Sequence, residues 1–306
     1  MRVKHFYLLV TFLLLVDSLS LAQTETHLVI KGSFVIVDKS PDGDSVRFRP
    51  DDATLFKQLK RSYRIEPSKD GTVQLRFEAI DAPELHYQGK GQPLGREARD
   101  FLLNELGFSA YIYNNNDTIT DAVPREIRGG ILSNSAETNG RPVSYVFLES
   151  DLSSYQDGER VRLDDMLLAK SLNVKVLQAG MAYYTVYSSQ SESQRAFMQS
   201  IAEQAKDASL GVWAVDKTSE FTLNGLEDVE ENQLILPKLY RRCVSYLRER
   251  DKGFSGTLRD WLLADPKRDD EILLGSRKTN LSNLLQIEGT TVRVLFDPLE
   301  AVFLEK

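Results

Sequence analysis

The chain has 306 residues, 42% of them hydrophobic and 27% charged, a globular composition that excludes a disordered or fibrous protein. Its single cysteine, Cys243, excludes an internal disulfide, and its three histidines, His5, His27 and His86, argue against a zinc site or a Ser-His-Asp hydrolase. The formal charge of −7 does not announce a nucleic-acid binder, so a phosphate ligand is expected to be held by a few placed cations, not by a broad basic face.

The first 22 residues read as an export signal. Arg2, Lys4 and His5 precede an apolar run at residues 6–16, and Ser20-Leu21-Ala22 offers small residues for cleavage. The run is too short for a membrane anchor, which needs roughly 20 apolar residues. The expected product is periplasmic or secreted, with no stable membrane association after cleavage. Removal of Arg2, Lys4 and Asp17 takes away a net +1 and leaves −8.

Residues 33–38 and 45–48 alternate as strands, with a tight turn, Pro41-Asp-Gly-Asp44, between them. Residues 49–72 read as an insertion with helical spacing at 54–61. A third strand at 73–80 ends at Asp81-Ala-Pro-Glu84, because Pro83 has no N–H for a ladder. A helix is expected over 93–106, with Ala98, Phe101, Leu102 and Leu106 on its apolar face. Strands follow at 110–113 and 143–148, separated by a polar, turn-rich stretch at 114–139. Residues 163–178 fit a helix broken near 171–173 and closed by Gly180. Residues 191–209 form a helix with Phe197, Ile201, Ala205 and Ala208 on one stripe.

These elements predict a mainly β protein with helices (α+β): a five-stranded OB-type barrel with about three helices over residues 23–213. An acidic linker at 214–230 and a small α/β C-terminal extension at 231–306 complete the chain. The extension carries a helix at 234–250 whose basic residues, Lys238, Arg241, Arg242, Arg248 and Arg250, read as a solvated face, with contact to phosphate backbone as the alternative. A short helix is expected at 258–263. Residues 292–296 and 301–304 are expected to pair as a closing hairpin. Cys243 is expected to be a buried small hydrophobe.

Two acids on the 42–44 turn and two more, Asp81 and Glu84, at a strand end form a candidate set of hard oxygen ligands. Each residue alone is explained by turn or surface chemistry. Four short motifs in order say more: Asp-Gly-Asp-Ser-Val at 42–46, Leu-Arg-Phe-Glu-Ala-Ile-Asp-Ala-Pro-Glu at 75–84, Gly-Arg-Glu-Ala at 95–98 and Asn-Gly-Arg-Pro-Val at 139–143. With Leu-Gly-Val-Trp at 210–213, they resemble the staphylococcal nuclease (thermonuclease) family over residues 33–213.

The resemblance implies a calcium-dependent endonuclease that hydrolyses DNA and RNA with little sequence preference, leaving 3′-phosphates. It implies Asp44, Asp81 and the Ala82 backbone carbonyl as Ca²⁺ ligands, Glu84 as general base, and Arg76 and Arg141 as phosphate-holding residues. Tyr184 and Tyr187 lie near the family's base-stacking tyrosines. The implied partners are single-stranded or frayed DNA and RNA; no protein partner is evident. A non-catalytic nucleic-acid or protein-binding module on the same fold is the competing reading, since a fold does not fix a function.

Overall fold

A computed structural model describes residues 26–305; the export segment expected at 1–22 lies outside the described residues. In chain order the structure begins with β1 (Thr26–Val35), β2 (Arg47–Pro50), β3 (Val73–Gln74), β4 (Arg76–Phe77), β5 (Ile80–Asp81) and helix α1 (Gly95–Leu106). A hairpin of β6 (Ala110–Tyr113) and β7 (Ile119–Val123) precedes β8 (Glu126–Ala136), β9 (Pro142–Leu148) and β10 (Arg160–Arg162). Then come α2 (Asp165–Leu168), α3 (Leu172–Gln178), β11 (Tyr183–Tyr184), β12 (Val186–Tyr187) and α4 (Glu192–Asp207).

The main sheet runs β3-β2-β1-β8-β9-β4, with β10 beside the start of β1. It curls into a nearly closed OB-type barrel, mixed with helices as expected, though seven described strands take part where five were predicted. The long strands β1 and β8 are its spine, pairing antiparallel from Leu28↔Ser133 to Val35↔Glu126. Phe34, Phe48, Phe77 and Phe147 fill the interior. Helices α1, α3 and α4 pack together over one side.

The stretch at 114–139 is not a turn-rich excursion: it contains β7 and the central strand β8. Gly129, Gly130 and the serines of β8 hide the strand, because none of them supplies apolar alternation. Tertiary packing requires the glycine. A Cβ on Gly129 would lie 2.4 Å from the Phe147 carbonyl oxygen and 2.5 Å from the Phe34 ring. The helix expected at 54–61 is instead a pair of 3-10 turns, Ala53–Gln58 and Ser62–Arg64, the first capped by Asp52. The break at 171–173 is as expected, with Ser171 capping α3. On α4 the buried residues are Gln194, Met198, Ala202 and Ala205; of the predicted stripe Ala205 is among them, Phe197 and Ile201 are half-buried against the core, and Ala208 is exposed.

The C-terminal part consists of β13 (Glu220–Thr222), α5 (Pro237–Asp251), α6 (Leu258–Leu263), β14 (Glu271–Leu274), β15 (Arg277–Asn280), β16 (Leu285–Glu288), β17 (Thr291–Val294) and β18 (Ala301–Phe303). Two expectations change here. The 214–230 stretch is packed structure, since β13 pairs with β17 and Phe221, Leu223 and Val229 are buried. The predicted closing hairpin does not form: β17 pairs with β13 and β16, while β18 joins β14 and β12. Asp297 caps the 3-10 turn Pro298–Glu300, which redirects the chain between the two sheets.

This part is not a tail. Strand β18 adds in parallel to β12, with Val186↔Val302 and Tyr187↔Phe303 in register. A second hydrophobic core around α5 takes in Tyr183 and Val212 together with Tyr240, Cys243, Val244 and Leu247. Cys243 is buried, as its expected role as a small hydrophobe requires, and burial pushes its thiol pKa up. Among the described residues no helix is long and apolar enough to cross a membrane.

Candidate active site

Close packing of small residues builds the acidic corner. Asp42 and Ser45 exchange backbone hydrogen bonds across the turn, and the Asp42 carboxylate accepts from the Gly43 N–H at 2.9 Å. A Cβ on Gly43 would lie 2.7 Å from the Ala82 Cβ and 2.8 Å from the Ala98 Cβ. A Cβ on Gly95 would lie 2.9 Å from the Glu84 carbonyl oxygen. Hence the turn, the Asp81–Glu84 segment and the first turn of α1 can touch only because these positions are Gly or Ala. The motif at 95–98 thereby acquires a steric meaning: it seats the helix against both acidic segments.

Between β4 and β5 the chain kinks. Ala79 takes a left-handed conformation, φ 66°, which costs an alanine energy and breaks the strand expected over 73–80. The kink is held by the Phe77 N–H donating to the Asp44 carbonyl, the Glu78 N–H to Ser144 and the Thr185 N–H to Ala79. As a result Arg76 and Asp81 face the same space from opposite sides of the bend. Arg76 Nη1 lies 3.6 Å from Asp44 Oδ2, and its Nη2 lies 3.5 Å from Asp81 Oδ1. Arg141 stands on the turn between β8 and β9 and is paired with Glu137 at 3.0 Å. Arg64, from the 49–72 insertion, donates to the Thr138 carbonyl at 2.9 Å and braces that turn.

Helix α5 brings a residue that sequence reasoning assigned to solvent. Arg241 Nη2 donates to Asp81 Oδ2 at 2.7 Å, and Nη1 donates to Asp81 Oδ1 at 3.2 Å. The same Nη1 also donates to Glu84 Oε1. Lys238 and Arg242 stand one turn and one residue away, sharing Asp270. The basic face of α5 is therefore split: Lys238, Arg241 and Arg242 line a cavity of about 650 Å³ together with Asp42, Asp44, Arg76, Glu84, Arg141 and Tyr187. Nothing in the sequence marks Arg241, because its partners lie 157 and 160 positions away.

The loop after Glu84 is fastened to this helix. The Glu84 N–H donates to Gln92 Oε1 at 3.1 Å, and Gln92 Nε2 donates to the Ile235 carbonyl at 2.7 Å. The Tyr240 hydroxyl donates to the Gly91 carbonyl at 3.1 Å, and Tyr87 and Ser245 share a hydroxyl–hydroxyl bond at 3.0 Å.

Electrostatics separates the four acids. Burial pushes Asp42 well above the usual carboxylate range, helped by the charges of Asp44 and Glu84. Burial also raises Asp44, against the pull of Arg76. Glu84 is raised by burial, with Arg241 opposing the shift. At Asp81 burial works in the same direction, but Arg241 and Arg76 together win and hold its carboxyl below the usual range. Asp81 is thus the acid whose negative charge the site stabilises most.

The tyrosines part company. Tyr187 lines the cavity, with Lys238 Nζ 5.2 Å from its ring centre. Tyr184 does not: it is 2% exposed, packed in the barrel core, and its hydroxyl donates to the Arg195 carbonyl. A stacked base cannot reach a ring in that position, so the stacking expectation rests on Tyr187 alone.

As arranged, the carboxylates do not fit a calcium ion. Both oxygens of Asp81 already accept from Arg241, and two guanidinium groups occupy the space an ion would share. Among the described residues no three His, Cys, Asp or Glu side chains converge as metal ligands.

Residues 74–215 match the family model described as staphylococcal nuclease homologue. No curated protein matches the chain. The matched span holds Arg76, Asp81, Ala82, Glu84 and Arg141, whereas Asp44 precedes it and Arg241 follows it. Over that span, which is less than half of the 306 residues, the chain is similar to the staphylococcal nuclease homologues.

Proposed function

We propose that the protein is an exported phosphodiesterase that cleaves DNA and RNA at the cavity between the barrel and α5. The observation that carries this reading is the convergence of Asp44, Arg76, Glu84 and Arg141 on one cavity, with the buried Asp81 paired to Arg76. Arg76 and Arg141 hold the scissile phosphate, since a planar guanidinium can bond two phosphate oxygens at once. Glu84 accepts the proton of the attacking water, and its burial-raised pKa makes it a stronger base than an exposed glutamate. Glu84 is free to do so only when Arg241 releases it.

The resemblance implies Ca²⁺ at Asp44, Asp81 and the Ala82 carbonyl. Because Arg241 takes up Asp81 and Glu84 in this arrangement, the steps proposed use the chain's own groups alone. Walls on both sides of the cavity suit a single or frayed strand better than a duplex. Backbone contact through arginines suits little sequence preference. The 3′-phosphate products follow from the resemblance, and export follows from the basic and apolar pattern of residues 1–22.

One observation favours the non-catalytic alternative: Arg241 neutralises the proposed base. A single assay separates the two readings. Residues 23–306 are incubated with single-stranded DNA or RNA, with Ca²⁺ or with chelator, and the product ends are analysed. Cleavage that is lost in Glu84→Gln supports the enzyme. Binding without cleavage in every condition from neutral to alkaline pH establishes the module.

A further inference from the structure

We propose that a second, smaller cavity, beside the one that holds Arg76 and Glu84, is a pocket for a single pyrimidine ring, with His27 and Gln194 as the residues that read its edge. The choice of ligand rests on the nucleic-acid reading of the larger cavity. Neither His27 nor Gln194 belongs to the four ordered motifs.

The smaller cavity measures about 170 Å³ and adjoins the larger one: Ser135 and Val143 line both, and so do Arg61 and Glu305, which pair at 3.3 Å. The 49–72 insertion supplies one wall, because the Lys60 N–H donates to the Asn134 carbonyl at 2.8 Å and the Ala136 N–H donates to the Lys60 carbonyl at 2.9 Å. Size selects the ligand. A protein cavity of about 150 Å³ admits benzene, so this one takes a six-membered ring but not the fused rings of a purine. The charged residues that line it, Lys60, Arg61, Glu78 and Glu305, cancel formally, which suits an uncharged ligand. Its walls nevertheless carry unused hydrogen-bonding capacity. His27 is 7% exposed, and its buried Nδ1 has no hydrogen-bond partner. Burial lowers its pKa to about 4, so at neutral pH the imidazole is uncharged, with one N–H donor and one acceptor nitrogen. Gln194 is 5% exposed; its backbone N–H donates to the Ser191 hydroxyl at 3.3 Å, while its side-chain amide takes no hydrogen bond among the described residues. Gln190 differs, being committed on both sides: Nε2 donates to the Tyr145 hydroxyl at 2.9 Å and Oε1 accepts from the Tyr187 N–H at 3.3 Å. That holds the wall between the cavities in place. Buried polar atoms left unpaired are costly, so these walls favour a ligand that supplies both a donor and an acceptor over an apolar one. A pyrimidine carries both on one edge, and an amide can match either order by turning its oxygen and nitrogen over.

The test is a saturation-transfer NMR titration of residues 23–306 with free thymidine, cytidine and adenosine. Both pyrimidine nucleosides are expected to bind about tenfold tighter than adenosine, the usual discrimination by a pocket too small for the larger ligand. Gln194→Leu and His27→Phe, each checked for folding by circular dichroism, are expected to weaken pyrimidine binding about fivefold apiece, the loss of one hydrogen bond. A short oligothymidylate is then added with chelator. Displacement of thymidine assigns the pocket to a base within a strand, and simultaneous binding assigns it to a free nucleoside; either supports the pocket. Absence of pyrimidine binding by the parent, equal affinity for adenosine, or pyrimidine affinity unchanged in both folded variants overturns the proposal and makes the cavity a site for water only. A chain that binds thymidine in this way but never cuts nucleic acid refutes the nuclease reading alone, and a nuclease without the pyrimidine preference refutes the pocket alone.

Discussion

Replacement of Arg241 by Met, in the presence of chelator, keeps the apolar stem of the side chain and removes only its charge and donors. The partner left behind, Asp81, has a side chain 1% exposed, while that of Arg241 is 22% exposed. Breaking a buried pair by removing one member costs about 3–5 kcal/mol. Asp81 keeps Arg76 at 3.5 Å, so the lower end, about 3 kcal/mol, applies here. For a chain of this size that corresponds to a fall in Tm of roughly 6–12 °C. The pH dependence has a definite sign. Asp81 is held below its usual range in the parent, so the stability it contributes is present above the unfolded carboxyl pKa and is lost as pH falls through the folded one. In the variant, burial outweighs what remains of the opposing charge, and the acid can protonate to relieve the penalty. The gap between parent and variant should therefore be widest near pH 7–8 and narrow on acidification. Circular-dichroism melts over that range measure it. A variant melting within about 2 °C of the parent at neutral pH would refute the claim that the contact is structural, and a gap unchanged by pH would refute its electrostatic origin.

Arg76→Ala should lower cleavage by about 10²-fold or more with little change in fold, as judged by initial rates and a melt, because it removes one preorganised cation. The acid limb of the pH–rate profile should lie above the ordinary glutamate range, because burial raises Glu84, and the rate should fall as pH drops through that raised value. A profile with its limb at or below the usual range assigns the base elsewhere. Gly43→Val should destabilise the chain by about 1–3 kcal/mol in denaturant titrations and weaken activity too, since its side chain would wedge the turn off Ala82 and α1. Truncation at residue 215 should give poorly soluble or unfolded protein in gel filtration and thermal melts, because it bares Tyr183, Val212 and the edge of β12.

Several features of the fold are legible in the amino-acid sequence alone. The turn at 42–44 announces itself by Asp and Gly. Pro83 stops a strand, Ser171 caps a helix, and Cys243 has no disulfide partner and is buried. Each depends on forces acting within a few residues, where side-chain type and spacing suffice. Strand β8 could not be read in this way, because its glycines and serines are chosen for close approach to Phe34 and Phe147 rather than for local preference. The hairpin expected at the C-terminus failed for a related reason: nearby apolar runs can pair with distant strands as readily as with each other.

The candidate acids and arginines, Asp44, Arg76, Asp81, Glu84 and Arg141, are nameable from four ordered motifs; the structure places Asp44, Arg76, Glu84 and Arg141 around one cavity and pairs the buried Asp81 with Arg76. The reach of Arg241 to Asp81 was not nameable. A basic helix face looks the same whether water or a carboxylate lies opposite it, and only tertiary packing decides which. The sequence by itself determined which chemical groups this protein carries and that residues 74–215 are similar to the staphylococcal nuclease homologues. The tertiary structure alone decided which cation those carboxylates hold, because charge pairing depends on distance in space and is blind to the 160 positions that separate the two residues along the chain.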